Sequence, residues 1–214
     1  MEKSPTRPSR ETRTQSRERT RNELIEATQR VYVREGFDGT TVGKIAEEAG
    51  YTTGAVYSNF AGKLDLLFAL MERQSHSFAL GRLKVAGGLP DIDSKFVALS
   101  SQWQATIEDN IEIYQLMYRL QALSVGDSEA RGRFEQLDQR IRDRLAVLIE
   151  EELSDLDIEF TVPVARLASA VQALSNGFSM RQTTRIDPGL SIEFSDAVRA
   201  LFQSMTRPMD SAER

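Results

Sequence analysis

Residues 50–63 read GYTTGAVYSNFAGK, and the reading of this stretch decides the fold. Gly50 closes an amphipathic run in which Val42, Ile45, Ala46 and Ala49 recur at helical spacing. Thr52 or Thr53 then offers a side-chain oxygen to the free N–H groups of a new helix. On that helix Val56 and Phe60 stand four apart and face inward, while Thr53, Ala55, Ser58 and Asn59 face outward with short side chains. Gly54 adds no side chain at all, so another molecule or helix can approach closely. Two short helices joined at a glycine-led turn, with Tyr51 plugging the corner, make a helix-turn-helix. A lean outer edge lets the second helix sit deep in a major groove. The plainer alternative is a tight helical corner with Tyr57 as a half-buried core aromatic.

Working outward, residues 16–35 carry Leu24, Ala27, Thr28, Val31 and Tyr32 at three- and four-residue steps, which predicts a helix. Gly36 suits its C-terminal cap, with Phe37 folding back, and either Thr40 or Thr41 caps the next helix. A fourth helix begins near Lys63 and is richly apolar from Leu64 to Met71. Residues 1–15, with two prolines and several hydroxyl residues, are expected to form a disordered basic arm. Gly87-Gly88-Leu89-Pro90 is the clearest break. Helical patterns follow at roughly 92–108, 110–124, 128–154, 163–182 and 191–206, punctuated by Gly126-Asp127, Pro163 and Asp187-Pro188-Gly189. No stretch shows sustained two-residue alternation. The expectation is an all-α chain: an arm at 1–15, a three-helix unit at 16–64 and a larger helical domain at 65–214.

The charge is asymmetric. The net charge of −5 over 214 residues argues against a nucleic-acid partner only on average. Residues 1–64 hold 11 Lys/Arg against 9 Asp/Glu, so the remainder carries all of the acidic excess. Lys3, Arg7, Arg10, Arg13, Arg17, Arg19 and Arg21 concentrate positive charge where a phosphate backbone would be met. Two roles stay open for the arm: arginines entering a narrow minor groove, or a solvated tail that raises affinity generally. Hydrophobic residues make up 40% of the chain, enough for a core, and the longest apolar run, Leu66 to Met71, is far too short to span a bilayer. With no cysteine and no evident signal peptide, a soluble, cytoplasmic protein is expected.

Tyr57 can donate its phenol O–H to a phosphate, and Lys63 places a cation near the next helix start. Helix N-termini at Thr41 and Thr52 add main-chain donors. Residues 21–72 then carry a more specific pattern: Leu24-Ile25-x-Ala27, Gly36-Phe37, Thr40-Thr41-Val42-x-x-Ile45-Ala46, Ala49-Gly50, Gly54-x-Val56-Tyr57-x-x-Phe60 and Lys63. This segment resembles the N-terminal domain of the TetR family of bacterial transcriptional regulators. The resemblance implies that the third helix reads the major groove, that Thr52, Tyr57 and Lys63 hold phosphates, and that Thr53, Ala55, Ser58 and Asn59 face bases. Lys44 would lie near the DNA backbone. One departure is Gly43, where relatives often carry a larger polar or basic side chain; with Ala55 also lacking a donor, direct base readout looks thin.

The resemblance further implies a homodimer, in which two final helices form a bundle with those of a partner and two recognition helices meet a near-palindromic operator. Val164, Leu167, Val171 and Leu174 make one apolar stripe, and Phe194, Val198, Leu201 and Phe202 make another. Trp103, Tyr114, Met117, Tyr118, Phe134 and Phe178 are large residues suited to surround a small-molecule effector or simply to pack a core. The chemistry of an enzyme is missing: His76 is alone, no thiol exists, and no nucleophile elbow or phosphate loop appears. The expected function is a regulator of transcription, a repressor released when an inducer moves the DNA-binding domains out of register, with no cofactor or metal. The second reading is a helical interaction protein, or a regulator controlled by a partner protein.

Overall fold

The computed structural model of the chain describes residues 12–86, 89, 91–154, 158–184 and 194–208. Most of the expected arm, the Gly87, Gly88 and Pro90 positions of the expected break, the Asp187-Pro188-Gly189 turn and residues 191–193 of the last expected helix lie outside them. The chain divides into two units, Met1–Leu70 and Met71–Arg214, so the division falls inside the fourth helix and not at residue 64.

In the first unit α1 (Arg13–Gly39) starts earlier than composition suggests. Thr12 and Gln15 form a reciprocal capping box, in which Thr12 Oγ1 accepts from Gln15 N at 3.2 Å and Gln15 Oε1 accepts from Thr12 N at 2.9 Å. Arg13, Thr14 and Gln15 are therefore helical, which corrects their assignment to the arm and places Arg13, Arg17, Arg19 and Arg21 on an ordered helix. Leu24, Ile25, Ala27, Thr28, Val31 and Tyr32 form its buried stripe. Thr28 is tolerated there because its hydroxyl donates to Leu24 O at 2.8 Å, leaving no buried donor unpaired. Gly36, at φ 69°, breaks the helical path, and Thr40 closes that corner with its hydroxyl on Gly36 O at 2.7 Å.

Of the two candidate caps, Thr41 is the one that starts α2 (Val42–Ala49), and its hydroxyl accepts from Lys44 N. Gly50 ends α2 in the left-handed conformation, φ 72° and ψ 26°, which a side chain would oppose. Thr52, not Thr53, caps α3 (Thr53–Tyr57), and Ser58, Asn59 and Phe60, expected on this helix, follow its end instead. α4 (Lys63–Ala86) follows, buried from Leu66 to Met71. Glu48 pins α2 to α1 through Arg30 and Arg34, at 2.7 and 3.0 Å. These two hydrogen bonds hold its carboxyl below the usual carboxylate range.

The second unit comprises α5 (Ile92–Asp109), α6 (Ile111–Gly126), α7 (Ser128–Leu153), α8 (Val164–Thr184) and α9 (Phe194–Met205). Asp91 and Asp127 cap α5 and α7. Helix α7 packs on α6 and α8, and α9 packs on α8 and α5. Sequence periodicity misses one element: β1 (Ile158–Phe160) pairs antiparallel with β2 (Thr206–Pro208), with Glu159 opposite Arg207. Three residues are too few to display an alternation, so a helical chain with this small ribbon is the observed form of the expected fold.

Two of the expected partner-facing residues are instead internal. Leu167 is 1% exposed and Phe202 6% exposed within the single chain, so neither remains for a second subunit. Phe194 stacks on Trp103, with ring centroids 3.9 Å apart, and receives the edge of Phe178 at 5.4 Å. The apolar stripes of α8 and α9 thus spend their largest members on the subunit's own core. Val164, Val171, Leu174, Val198 and Leu201 stay half-buried.

Candidate functional site

The outer edge of α2, the turn and α3 carries the expected nucleic-acid residues. Val56 and Phe60, at 0% and 2% exposure, anchor α3 from below, so its other positions are held outward. Thr41 and Thr52 spend one lone pair each on capping, accepting from Lys44 N at 3.3 Å and Ala55 N at 3.2 Å. Each keeps its own O–H free to donate outward. Tyr57 is 61% exposed, a large ring left on the surface. Thr53 is exposed beside it.

Other expected contacts are already engaged within the unit. Ser58 is exposed, but its hydroxyl donates to Gly54 O at 2.9 Å. Asn59 is half-buried; its Nδ2 donates to Ala55 O at 2.9 Å and its Oδ1 is buried without a partner. Ala55 is half-buried and offers only a methyl group. The Lys44 ammonium pairs with the Glu35 carboxylate and reaches Gly39 O at 3.2 Å. That bond is the main reason the Glu35 carboxyl is held below its ordinary range. The Lys63 ammonium donates to Phe37 O and sits 4.3 Å above the Phe37 ring. An incoming phosphate would have to draw either lysine away from these partners.

Tyr51 does plug the corner. It is half-buried, its phenol donates to the Glu23 carboxylate, and its oxygen lies 3.4 Å from Thr20 Oγ1. Arg21, grouped in the sequence with the basic cluster expected to meet phosphate, instead binds the main-chain carbonyl of Asn59 and covers Phe60. No local spacing signals a contact of that kind.

Gly43 and Gly54 carry the most information. A Cβ built on Gly43 would meet only Thr41 Oγ1, at 4.0 Å, and one on Gly54 only Thr52 Oγ1, at 3.7 Å. Both residues are exposed and helical, so neither glycine is required by a positive φ or by the packing of its own unit. Each nonetheless costs helix propensity, about 0.5–1 kcal/mol relative to alanine. The unit keeps two bare patches of backbone on its outer edge at some expense in stability.

The second unit contains a cavity of about 100 Å³. Of the six large residues suggested for an effector pocket, Trp103, Tyr114 and Met117 line it, together with Ile113. Tyr118, Phe134 and Phe178 do not line it. Tyr118 turns its phenol to Ser179 Oγ at 2.5 Å and Asn176 O at 3.2 Å, Phe178 packs on Phe194, and Phe134 is a half-buried residue elsewhere on α7. Burial pushes the Tyr118 phenol up to about 12, with the Ser179 hydrogen bond opposing the shift.

Among the described residues no group of acidic, histidine or cysteine side chains is placed to hold a metal ion, and no helix is long and apolar enough to cross a membrane.

A helix-turn-helix unit joined to a separate helical body is the class that this architecture defines. Residues 24–70 match the family model described as bacterial regulatory proteins, tetR family. The chain is 41% identical over 63 residues to the HTH-type transcriptional regulator SrpR of Pseudomonas putida; that match covers 29% of this chain and 30% of SrpR. It is 24% identical over 195 residues to the HTH-type transcriptional repressor AcnR of Corynebacterium glutamicum, covering 89% of this chain and 94% of AcnR. The fold is similar to a crystal structure of a TetR-family regulator from Mesorhizobium loti, with a TM-score of 0.67 at 18% identity, over 91% of this chain and 98% of that one. Residues 24–70 of the chain thus match the N-terminal domain of the TetR family of bacterial regulatory proteins.

Proposed function

We propose that the chain is a transcriptional repressor that binds a near-palindromic operator as a homodimer and is released by a small-molecule effector. The single observation that carries the DNA-binding part is the pair of glycines that its own unit does not need. Bare backbone at Gly43 and Gly54 suits close approach to a duplex, and Tyr57, Thr41 and Thr52 flank it with groups that donate to phosphates. Thr53 and the Ala55 methyl are the side chains best placed to meet bases, the methyl suiting thymine. Lys44 and Lys63 become phosphate contacts once drawn from Glu35 and Phe37.

The half-buried Val164, Val171, Leu174, Val198 and Leu201 are what α8 and α9 retain for a partner subunit. Support for repression comes from the name of AcnR, whose similarity extends along nearly the whole chain. Footprinting on the chain's own upstream region, with light scattering for the mass in solution, tests the reading. A protected two-fold site whose affinity falls steeply with salt is expected. A monomer, or a complex indifferent to sequence, would favour the helical interaction protein instead.

A further inference from the structure

The walls of the cavity in the second unit are mostly apolar, yet they hold one arginine and, among the described residues, no carboxylate. Arg144 projects from α7, and its Nη1 donates to Ser75 Oγ at 3.0 Å. It forms no ion pair with any described residue, whereas Arg140 and Arg142 on the same helix pair with Glu72 and Asp138. The neutral hydroxyl of Ser75 occupies one of the five N–H donors of a guanidinium and leaves its charge uncompensated. Arg144 is half-buried, so its remaining donors are open to water or to an incoming anion, and a guanidinium fork matches a carboxylate in geometry as well as charge. Gln172 does not supply that anion. Its Nε2 donates to Asp138 Oδ1 at 2.5 Å, and the Asp138 carboxylate is shared with Arg142.

We infer that the cavity binds a small monocarboxylic acid with an aromatic or branched apolar body, its carboxylate on Arg144 and its body between Trp103, Ile113 and Met117. The volume sets the size. An apolar cavity of roughly 150 Å³ holds benzene, so about 100 Å³ suits a short branched chain and takes a single ring only if the walls move apart. Long acyl chains and multi-ring compounds are excluded without a larger opening. Charge and shape together set the class: the acid binds, and its neutral isostere does not. This rests on the proposed effector-released repressor, for which it names the effector's chemistry.

The experiment is calorimetric titration of the full chain with benzoate, with 3-methylbutanoate, and with the corresponding neutral amides. At least one acid is expected to bind at least tenfold more tightly than its amide. Arg144→Gln is expected to abolish that preference, and Arg144→Lys, which keeps the charge without the fork, to retain part of it. Equal binding of acid and amide, or no saturable binding of either acid, would overturn the inference; the wild-type ratio decides this even where a variant does not fold. An operator shift assay without ligand separates the two readings. A chain that binds DNA but shows no acid preference loses only the ligand class, and one that prefers the acid but binds no DNA loses only the repressor.

Discussion

Arg21 on α1 donates a hydrogen bond of 2.6 Å to the main-chain carbonyl of Asn59, 38 residues away, and its guanidinium lies 4.1 Å from the centroid of the Phe60 ring. One side chain thereby ties the exit of α3 to the helix that supports it, and α3 is a single short turn with little stability of its own. Arg21→Ala is expected to destabilise the chain by about 1.5–3 kcal/mol, the range for a hydrogen bond to a charged donor. It should also weaken operator binding for every sequence tested. Arg21→Lys should recover only part of both, since an ammonium does not stack as a guanidinium does. Thermal melts and mobility shifts read the two effects, and an Ala variant with unchanged melting would show that Arg21 positions nothing.

Tyr57 separates stability from binding. Its ring is 61% exposed, so removing it takes little from the core, and Tyr57→Ala is expected to change stability by no more than about 0.5 kcal/mol. Loss of a phosphate contact should nevertheless weaken DNA binding by roughly 1–2 kcal/mol, to a similar degree for all operators. Tyr57→Phe distinguishes the hydroxyl from the ring. A loss confined to one base substitution would make Tyr57 a base reader.

Lys95 and Glu152 test the second unit without touching either site. The Lys95 ammonium donates to Glu152 O at 2.5 Å and lies 3.7 Å from its carboxylate, with side-chain exposures of 9% and 11%. Lys95→Ala strands a nearly buried carboxylate and is expected to cost about 3–5 kcal/mol. Lys95→Met combined with Glu152→Gln removes both charges and should recover most of that loss. Urea denaturation of wild type, Lys95→Met, Glu152→Gln and the double variant closes the cycle, and additive effects would mean that the pair is not coupled.

Much of the first unit was legible because its determinants are local. Thr41, Gly50 and Thr52 do their work within three or four residues of their position, and the Val56–Phe60 spacing places α3 without reference to anything distant. The start of α1 was legible too, since Thr12-x-x-Gln15 is a capping box, but the charge and prolines around it pointed to disorder. What periodicity does not carry is the choice between partners. Leu167 and Phe202 make the same stripe whether it packs on a second subunit or on the chain's own core. Lys63 reads as a free cation until Phe37 arrives beside it through the Gly36 corner, and Phe194 meets Trp103 only once α9 lies on α5. The cavity's arginine was invisible for the same reason: Arg144 is one of several arginines on α7, and only packing shows which of them lines the cavity.

Tyr118 predicts a limb in the pH dependence. Its phenol, raised to about 12 chiefly by burial, ionises in the unfolded chain at about 10. Because the folded value is the higher one, the associated stability is fully present below pH 10 and is lost as pH rises towards 12. Tyr118→Phe removes the titrating group, so the stability gap between wild type and variant is expected to shrink over that interval. Ser179 keeps a partner in the variant, since its hydroxyl also donates to Asn176 O at 3.2 Å. Urea midpoints at pH 9, 10, 11 and 12 measure the gap. A constant gap would mean that the phenol ionises as easily in the folded protein as in water.

Gly54→Ala sets the two accounts of the outer edge against each other. The added Cβ would lie 3.7 Å from Thr52 Oγ1, an ordinary contact, at a helical position with no positive φ. On the folded unit alone the substitution is therefore favourable, and stability is expected to rise by about 0.5–1 kcal/mol. If the bare backbone exists to let DNA approach, the same methyl must weaken operator binding, by at least tenfold where it meets a sugar or phosphate at close range. Gly43→Ala, with still more room at 4.0 Å, should repeat the gain in stability and shows whether α2 also lies close to the duplex. Melting temperature and operator affinity are measured on the same preparations. A Gly54→Ala protein that is more stable and binds its operator as tightly as wild type would remove the observation on which the DNA-binding reading depends.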